Sequence, residues 1–301
     1  MIQRGIALFA VLACGAVAVG AQPPTLASVL AATSDADWRT PDPENVVYLD
    51  LAAGRVVFEL SPTFAPAHVA NVKALVREGY FDGLTINRAQ DNYVVQWGDA
   101  NERDTAKRRA IRGAKPTLPA EFDRPLAAGI PWTALPDGDV YAPEVGWSFG
   151  FPAARDPKAG RTWLSYCYGV LGAGRGNDAA SGGGTELFVI IGHAPRHLDR
   201  NSTAFGRVLR GIELLSTLPR GTGNLGFYET AEQRVEVKAM RVSADVPAAE
   251  RTPLQVLRTD TSAFRQLIEA RRNRREEWFK YAVGKVELCN VPVPVRTPAS
   301  R

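Results

Sequence analysis

Histidine, methionine and cysteine are scarce in this sequence of 301 residues, which carries three, two and three of them. The three histidines, His68, His193 and His197, leave little room for histidine-rich metal chemistry. Three cysteines exclude a disulfide-dense miniprotein. No apolar run beyond residue 21 approaches the ~20 residues that a membrane-spanning helix needs. Charge of one sign is not in excess either: 36 Lys and Arg against 32 Asp and Glu give +4, too mild a surplus to argue for nucleic acid. At 45% hydrophobic and 23% charged residues the chain reads as an ordinary globular protein of one or two domains.

Three other signals fail on context. Gly172-Ala173-Gly174-Arg175-Gly176 invites a phosphate-loop reading, but the segment that follows is too rich in Gly, Ser and Ala to open the required helix. His193 and His197 have the spacing of two metal ligands on a helix, but Gly192 and Pro195 oppose helix there. The basic run Arg271-Arg272-Asn273-Arg274-Arg275 is followed directly by Glu276 and Glu277, and reads as a solvated helix face. No metal, nucleotide or other cofactor is implied.

What is present begins at the N-terminus. Residues 1–21 carry one charge, Arg4, then an apolar run, then Val19 and Ala21 at the −3 and −1 positions of a cleavage site. That is the layout of a secretory signal peptide, with a retained anchor as the alternative. Val11-Leu12-Ala13-Cys14 also resembles a bacterial lipobox, which would put a lipid anchor on Cys14. Export to the periplasm is the expectation. The mature chain would keep Cys167 and Cys289, as one disulfide or as two buried thiols.

Residues 22–44 read as a lead-in segment. Strand-like runs at 45–51 and 55–60 flank Ala52-Ala53-Gly54, a hairpin signal. Pro66 opens a helix whose face carries Val69, Val72, Leu75 and Val76 and which ends at Gly79. Further strands are expected at Leu84–Arg88, Tyr93–Trp97, Leu164–Leu171, Leu187–Ile191, Thr203–Val208 and Val235–Val242, with a short helix over Gly211–Leu218. About eight strands and two helices point to a mainly β fold, closer to a closed barrel with helical plugs than to βαβ units. Residues 100–163 read as a long loop. Residues 246–301 form a C-terminal extension, with a helix capped by Asp260 or Thr261 that carries Phe264, Leu267, Ile268 and Trp278 on one face.

Several blocks within residues 45–245 then occur together. They are Gly54–Leu60, Gly79-Tyr80-Phe81-Asp82-Gly83, Leu84-Thr85-Ile86-Asn87-Arg88, and Tyr93-Val94-Val95-Gln96-Trp97-Gly98-Asp99. Gly169–Gly174, Gly184-Thr185-Glu186-Leu187-Phe188-Val189-Ile190, His197-Leu198-Asp199 and Phe205-Gly206-Arg207-Val208 follow in order. In sequence and spacing the set resembles the cyclophilin family of peptidyl-prolyl cis-trans isomerases.

The resemblance implies a closed eight-stranded antiparallel barrel with two helices, enlarged by the 100–163 loop and the C-terminal extension. It implies that Arg88 is the catalytic arginine and Gln96 the residue that positions it. Tyr93, Val94, Phe188 and Leu198 would line the proline pocket, and Gly174, Arg175 and Glu186 stand where the family usually has Ala, Asn and Gln against the peptide backbone. His197 replaces the usual tryptophan, Ser202 the usual histidine, and Asn87 the histidine before the arginine. The implied partners are proline-containing polypeptides, with no nucleic acid and no membrane span, and a monomer is the expected state. The alternative function is a non-catalytic peptide-binding module or chaperone. The C-terminal extension is expected to pack on the barrel through Trp278 and Cys289.

Overall fold

The computed structural model describes residues 24–298. Residues 1–21, where a signal peptide is expected, lie outside the described residues, and so does Cys14. In chain order the elements are α1 (Leu26–Ala31), β1 (Trp38–Arg39), β2 (Val46–Leu51), β3 (Gly54–Leu60), α2 (Pro66–Arg77), β4 (Thr85–Ala89) and β5 (Val94–Gly98). There follow β6 (Arg124–Pro125), β7 (Thr133–Ala134), β8 (Glu144–Ser148), β9 (Phe151–Asp156), β10 (Arg161–Leu164), β11 (Val170–Ala173), β12 (Leu187–Ile190) and β13 (Ala204–Arg210). The chain closes with α3 (Ile212–Ser216), β14 (Val235–Glu236), β15 (Ala239–Val242), β16 (Gln255–Leu257), α4 (Ser262–Arg272) and β17 (Val295–Arg296).

The sheet that carries the site has nine strands rather than eight, and it is an open half-barrel rather than a closed barrel. Its order is β14-β4-β5-β12-β11-β13-β3-β2-β15, and the two edge strands do not pair with each other. The cause is the segment expected as one strand over Val235–Val242. It pairs with β4 only as far as Glu236 and with β2 only from Ala239. Val237 and Lys238 step between the edges, their N–H groups bonding the Leu84 and Asp50 carbonyls at 2.8 and 2.9 Å. The run expected over Leu164–Leu171 likewise splits into the end of β10 and the start of β11, with Gly169 at φ +81° in the break.

The strands of this sheet are buried on both faces, and period-two alternation divides them between two cores. Val47, Leu49, Leu51, Val56 and Phe58 point inward, where they meet the Val69, Val72, Leu75 and Val76 face of α2. Val46, Tyr48 and Val57 point outward into a second core built with Trp147, Trp163, Phe264, Leu267 and Ile268. That second core explains the segments outside the blocks. Residues 100–163, read as a loop, contain β6 to β9, which with β10 form a five-stranded sheet in the order β6-β10-β9-β8-β7. Its strands are short and interrupted by Gly and Pro, so their periodicity is faint in sequence. The lead-in and the C-terminal extension also join, as the small sheet β1-β16-β17.

Helix α4 begins at Thr261, whose hydroxyl accepts the Phe264 N–H, and it buries Phe264, Leu267 and Ile268. Phe264 meets the Trp147 ring edge-on at 5.1 Å. Trp278 departs from expectation. The helix stops at Asn273, five residues short of it, and Trp278 is 81% exposed. Cys289 does tie the extension down, through a disulfide to Cys167 across 122 residues of chain. The alternative of two free thiols is thereby excluded. No helix among the described residues is long and apolar enough to cross a membrane.

Candidate active site

Arg88 and Gln96 lie on neighbouring antiparallel strands, and a β-bulge sets them opposite one another. Ile86 pairs with Trp97, but the next pair is Arg88 with Gln96, which leaves Asn87 as the extra residue. Buried Asn87 donates its amide to the Gly98 carbonyl at 3.0 Å and accepts the Thr85 hydroxyl, satisfying groups the bulge would otherwise leave unpaired. Without that extra residue, Arg88 would be one position out of register with Gln96.

Three neutral acceptors hold the Arg88 guanidinium. Nη1 donates to Gln96 Oε1 at 3.1 Å, Nε to the Leu225 carbonyl at 2.7 Å, and Nη2 to Gln90 Oε1. The Tyr93 and Phe227 rings lie 5.6 and 5.3 Å from its central carbon. Burial draws its pKa down, against Tyr93 and Glu186, which raise it. The group stays charged, as an arginine does, and its charge is not spent on a carboxylate. A surface ion-pair role for Arg88 is therefore not what the structure contains.

Glu186 extends this chain. Gln96 Nε2 donates to Glu186 Oε2 at 2.6 Å, which turns the amide so that its oxygen faces Arg88. Burial, and then the charge of Glu102, push the Glu186 carboxyl up to about 7, and the Gln96 bond opposes them. Glu186 and Gly174 share the wall of a cavity of about 620 Å³ that also meets Asn87, Glu102 and Phe227.

The apolar wall beside Arg88 comes from β5, β12 and the 3₁₀ turn Arg196–Leu198. Val94 and Phe188 are buried; Tyr93 and Leu198 are partly buried against the same outer core. Phe188 stacks on Tyr166 at 5.8 Å, and only a glycine at 172 allows it, since a Cβ there would come within 2.5 Å of the Phe188 ring. His197, exposed where the family usually has tryptophan, stacks against Tyr93 at 6.3 Å with planes 17° apart. The turn that carries it is anchored by Arg196, buried between Asp139 at 2.8 Å and Asp199 at 2.7 Å. Asp139 belongs to the inserted segment, which thus braces one wall of the groove.

One expected contact points elsewhere: Ser202 is buried and donates its hydroxyl to the Ala173 carbonyl at 3.1 Å. Arg175 stays on the wall of the cavity with Gly174 and Glu186, bonding the Asn201 and Gly176 carbonyls at 2.8 and 2.7 Å. The sequence reading missed Gln90, Leu225, Phe227 and Tyr166. Leu225 sits at φ +56° before Gly226, and no motif announces a carbonyl aimed at Arg88 from so far along the chain.

Residues 46–242 match the family model described as "Cyclophilin type peptidyl-prolyl cis-trans isomerase/CLD". The chain belongs to the cyclophilin family. It is similar to the probable peptidyl-prolyl cis-trans isomerase of Brucella suis biovar 1 (strain 1330), at 42% identity over 89 residues, 28% of this chain and 45% of that protein. The chain thus spans just under half the length of that relative. It is also similar to peptidyl-prolyl cis-trans isomerase B of Bacillus subtilis (strain 168), at 26% identity over 168 residues, covering 56% of this chain and 85% of the relative. Among solved structures it resembles cyclophilin AquaCyp293 from Hirschia baltica, with a TM-score of 0.70 and 26% identity over 91% of this chain and 97% of that one. A cyclophilin likeness of that extent reaches past residues 46–242 into the flanking segments.

Proposed function

We propose that this cyclophilin catalyses cis-trans isomerisation of X-Pro bonds, with Arg88 as the catalytic residue and Gln96 as the residue that positions it. The observation that carries the reading is the Arg88 guanidinium, held by neutral acceptors beside an apolar, aromatic wall. Rotation about the amide costs ~18–20 kcal/mol because it breaks C–N resonance. In the twisted state the prolyl nitrogen becomes pyramidal, and its localised lone pair accepts a hydrogen bond that the planar ground state cannot. The N–H groups of Arg88 that Gln96, Gln90 and Leu225 leave unspent are the donors for it. A bond made chiefly at the transition state lowers the barrier rather than merely tightening binding. Val94, Phe188 and Leu198 would hold the prolyl ring and exclude water, which strengthens the field of the charge. The step needs no proton transfer and no covalent intermediate.

The clients are taken to be exported or unfolded polypeptides in the periplasm. The N-terminal segment has the pattern of a signal peptide, and a Cys167–Cys289 disulfide accords with an oxidising compartment. Intact mass of protein from periplasmic and membrane fractions separates cleavage after Ala21 from a lipid on Cys14. The internal use of the Ser202 hydroxyl favours the second reading, a peptide-binding module without catalysis. Exchange NMR on a short X-Pro peptide decides between them. Line broadening between cis and trans signals at substoichiometric protein supports the isomerase. Peptide binding without exchange supports the module.

A further inference from the structure

A second cavity, of about 390 Å³, lies between the outer face of the sheet and the C-terminal strap, away from Arg88 and Gln96. Val170, Leu209, Val291 and Val293 line it with the Cys167–Cys289 disulfide, and half-exposed Tyr168 stands at its rim. Arg207 and Trp147, which are 8% and 1% exposed, also belong to its wall. Among the described residues neither Arg207 Nε, Arg207 Nη2 nor Trp147 Nε1 has a hydrogen-bond acceptor.

The nearest carboxylate does not answer this need. Glu59 lies across the strand pair from Arg207, but both of its oxygens are bonded by Arg39. Its Oε2 is 3.6 Å from Arg207 Nη2, an ion pair too long for a hydrogen bond. One carboxylate therefore serves two guanidiniums, and the cluster keeps a net positive charge at the edge of an apolar cavity. The Phe151 ring, 5.4 Å from the Arg207 guanidinium carbon, offers its face but no acceptor for these N–H groups. Burial draws the Arg207 pKa down to about 10, so it is still charged at neutral pH.

Unmatched buried donors are costly. We propose that this cavity binds a small amphiphilic carboxylate, with the carboxylate accepting from Arg207 and Trp147 and the alkyl chain lying against Val170, Leu209, Val291 and Val293. This site is independent of the isomerase reading.

The test is calorimetric titration of the disulfide-intact full chain with decanoate and, separately, with decanol. Saturable one-to-one binding of decanoate is expected, with decanol weaker by roughly tenfold or more, the usual scale for losing a charged hydrogen-bond pair. Arg207→Met should weaken decanoate by a similar factor. Ile212→Trp, which fills the cavity from its partly buried edge and leaves Arg207 in place, should do the same. If Arg207→Met fails to fold, Ile212→Trp alone decides. No saturable binding of decanoate, decanol binding as tightly as decanoate, or full decanoate affinity in Ile212→Trp would each overturn the assignment.

Discussion

Replacing Glu186 by glutamine should change how stability depends on pH, and the sign follows from burial. The carboxyl titrates near 7 in the folded chain, against 4.5 for an ordinary glutamate. The folded state therefore holds the Glu186 proton more tightly than the unfolded state does. The resulting stabilisation is complete below about pH 4.5 and is lost as pH rises through 7. A gap of about 2.5 pH units at ~1.36 kcal/mol each makes the loss about 3 kcal/mol. Glu186→Gln keeps the shape and an acceptor for Gln96 but has no charge to bury. Urea denaturation of both proteins from pH 4 to pH 8 isolates the effect, because the other groups cancel in the difference. The stability of the variant minus that of the wild type should rise by about 3 kcal/mol across that range. A flat difference would refute the burial argument, and a falling one would mean that the charged form is the stabilised one.

Other expectations are as direct. Gln96→Leu should leave Arg88 charged but unaligned and cut kcat/KM for an X-Pro peptide by roughly tenfold or more, while a change in stability without a change in kcat/KM would deny Gln96 a positioning role. Reducing the Cys167–Cys289 bond opens a loop of 122 residues and should lower unfolding free energy by about 4–5 kcal/mol in the chain-entropy model, read as an earlier urea midpoint with reductant present. Phe264→Ala, in the outer core, should cost about 3–5 kcal/mol. Trp278→Ala, on an exposed residue, should stay within about 0.5 kcal/mol, and equal costs for the two would place the anchor of the extension wrongly.

The central strands and the pair Arg88 and Gln96 were legible in sequence because ordered blocks with turn residues between them recur in fixed spacing. The bulge that sets this pair opposite each other was not, since Asn87 reads only as a departure from a motif. Nor was the second core. The outward-facing residues Val46, Tyr48 and Val57 made the strands look uniformly apolar, without saying what covers them. The inserted sheet escaped notice because β6 and β7 are two residues each, too short for periodicity to register. Trp278 misled for the opposite reason: helical spacing continued past Asn273, but the helix did not. By sequence Glu186 stands where the family contacts the peptide backbone, and its place behind Gln96 emerges only when the two side chains meet.

The most direct measurement is the isomerisation rate of a short X-Pro peptide with wild type and with Arg88→Ala, at matched concentrations and with folding confirmed by near-UV circular dichroism. Acceleration by the wild type that falls roughly 10²–10³-fold in the variant, the scale for removing a transition-state donor, is the expected result. Acceleration that survives in Arg88→Ala would contradict the proposed role of the guanidinium, and a folded wild type that accelerates nothing would leave the peptide-binding module as the function.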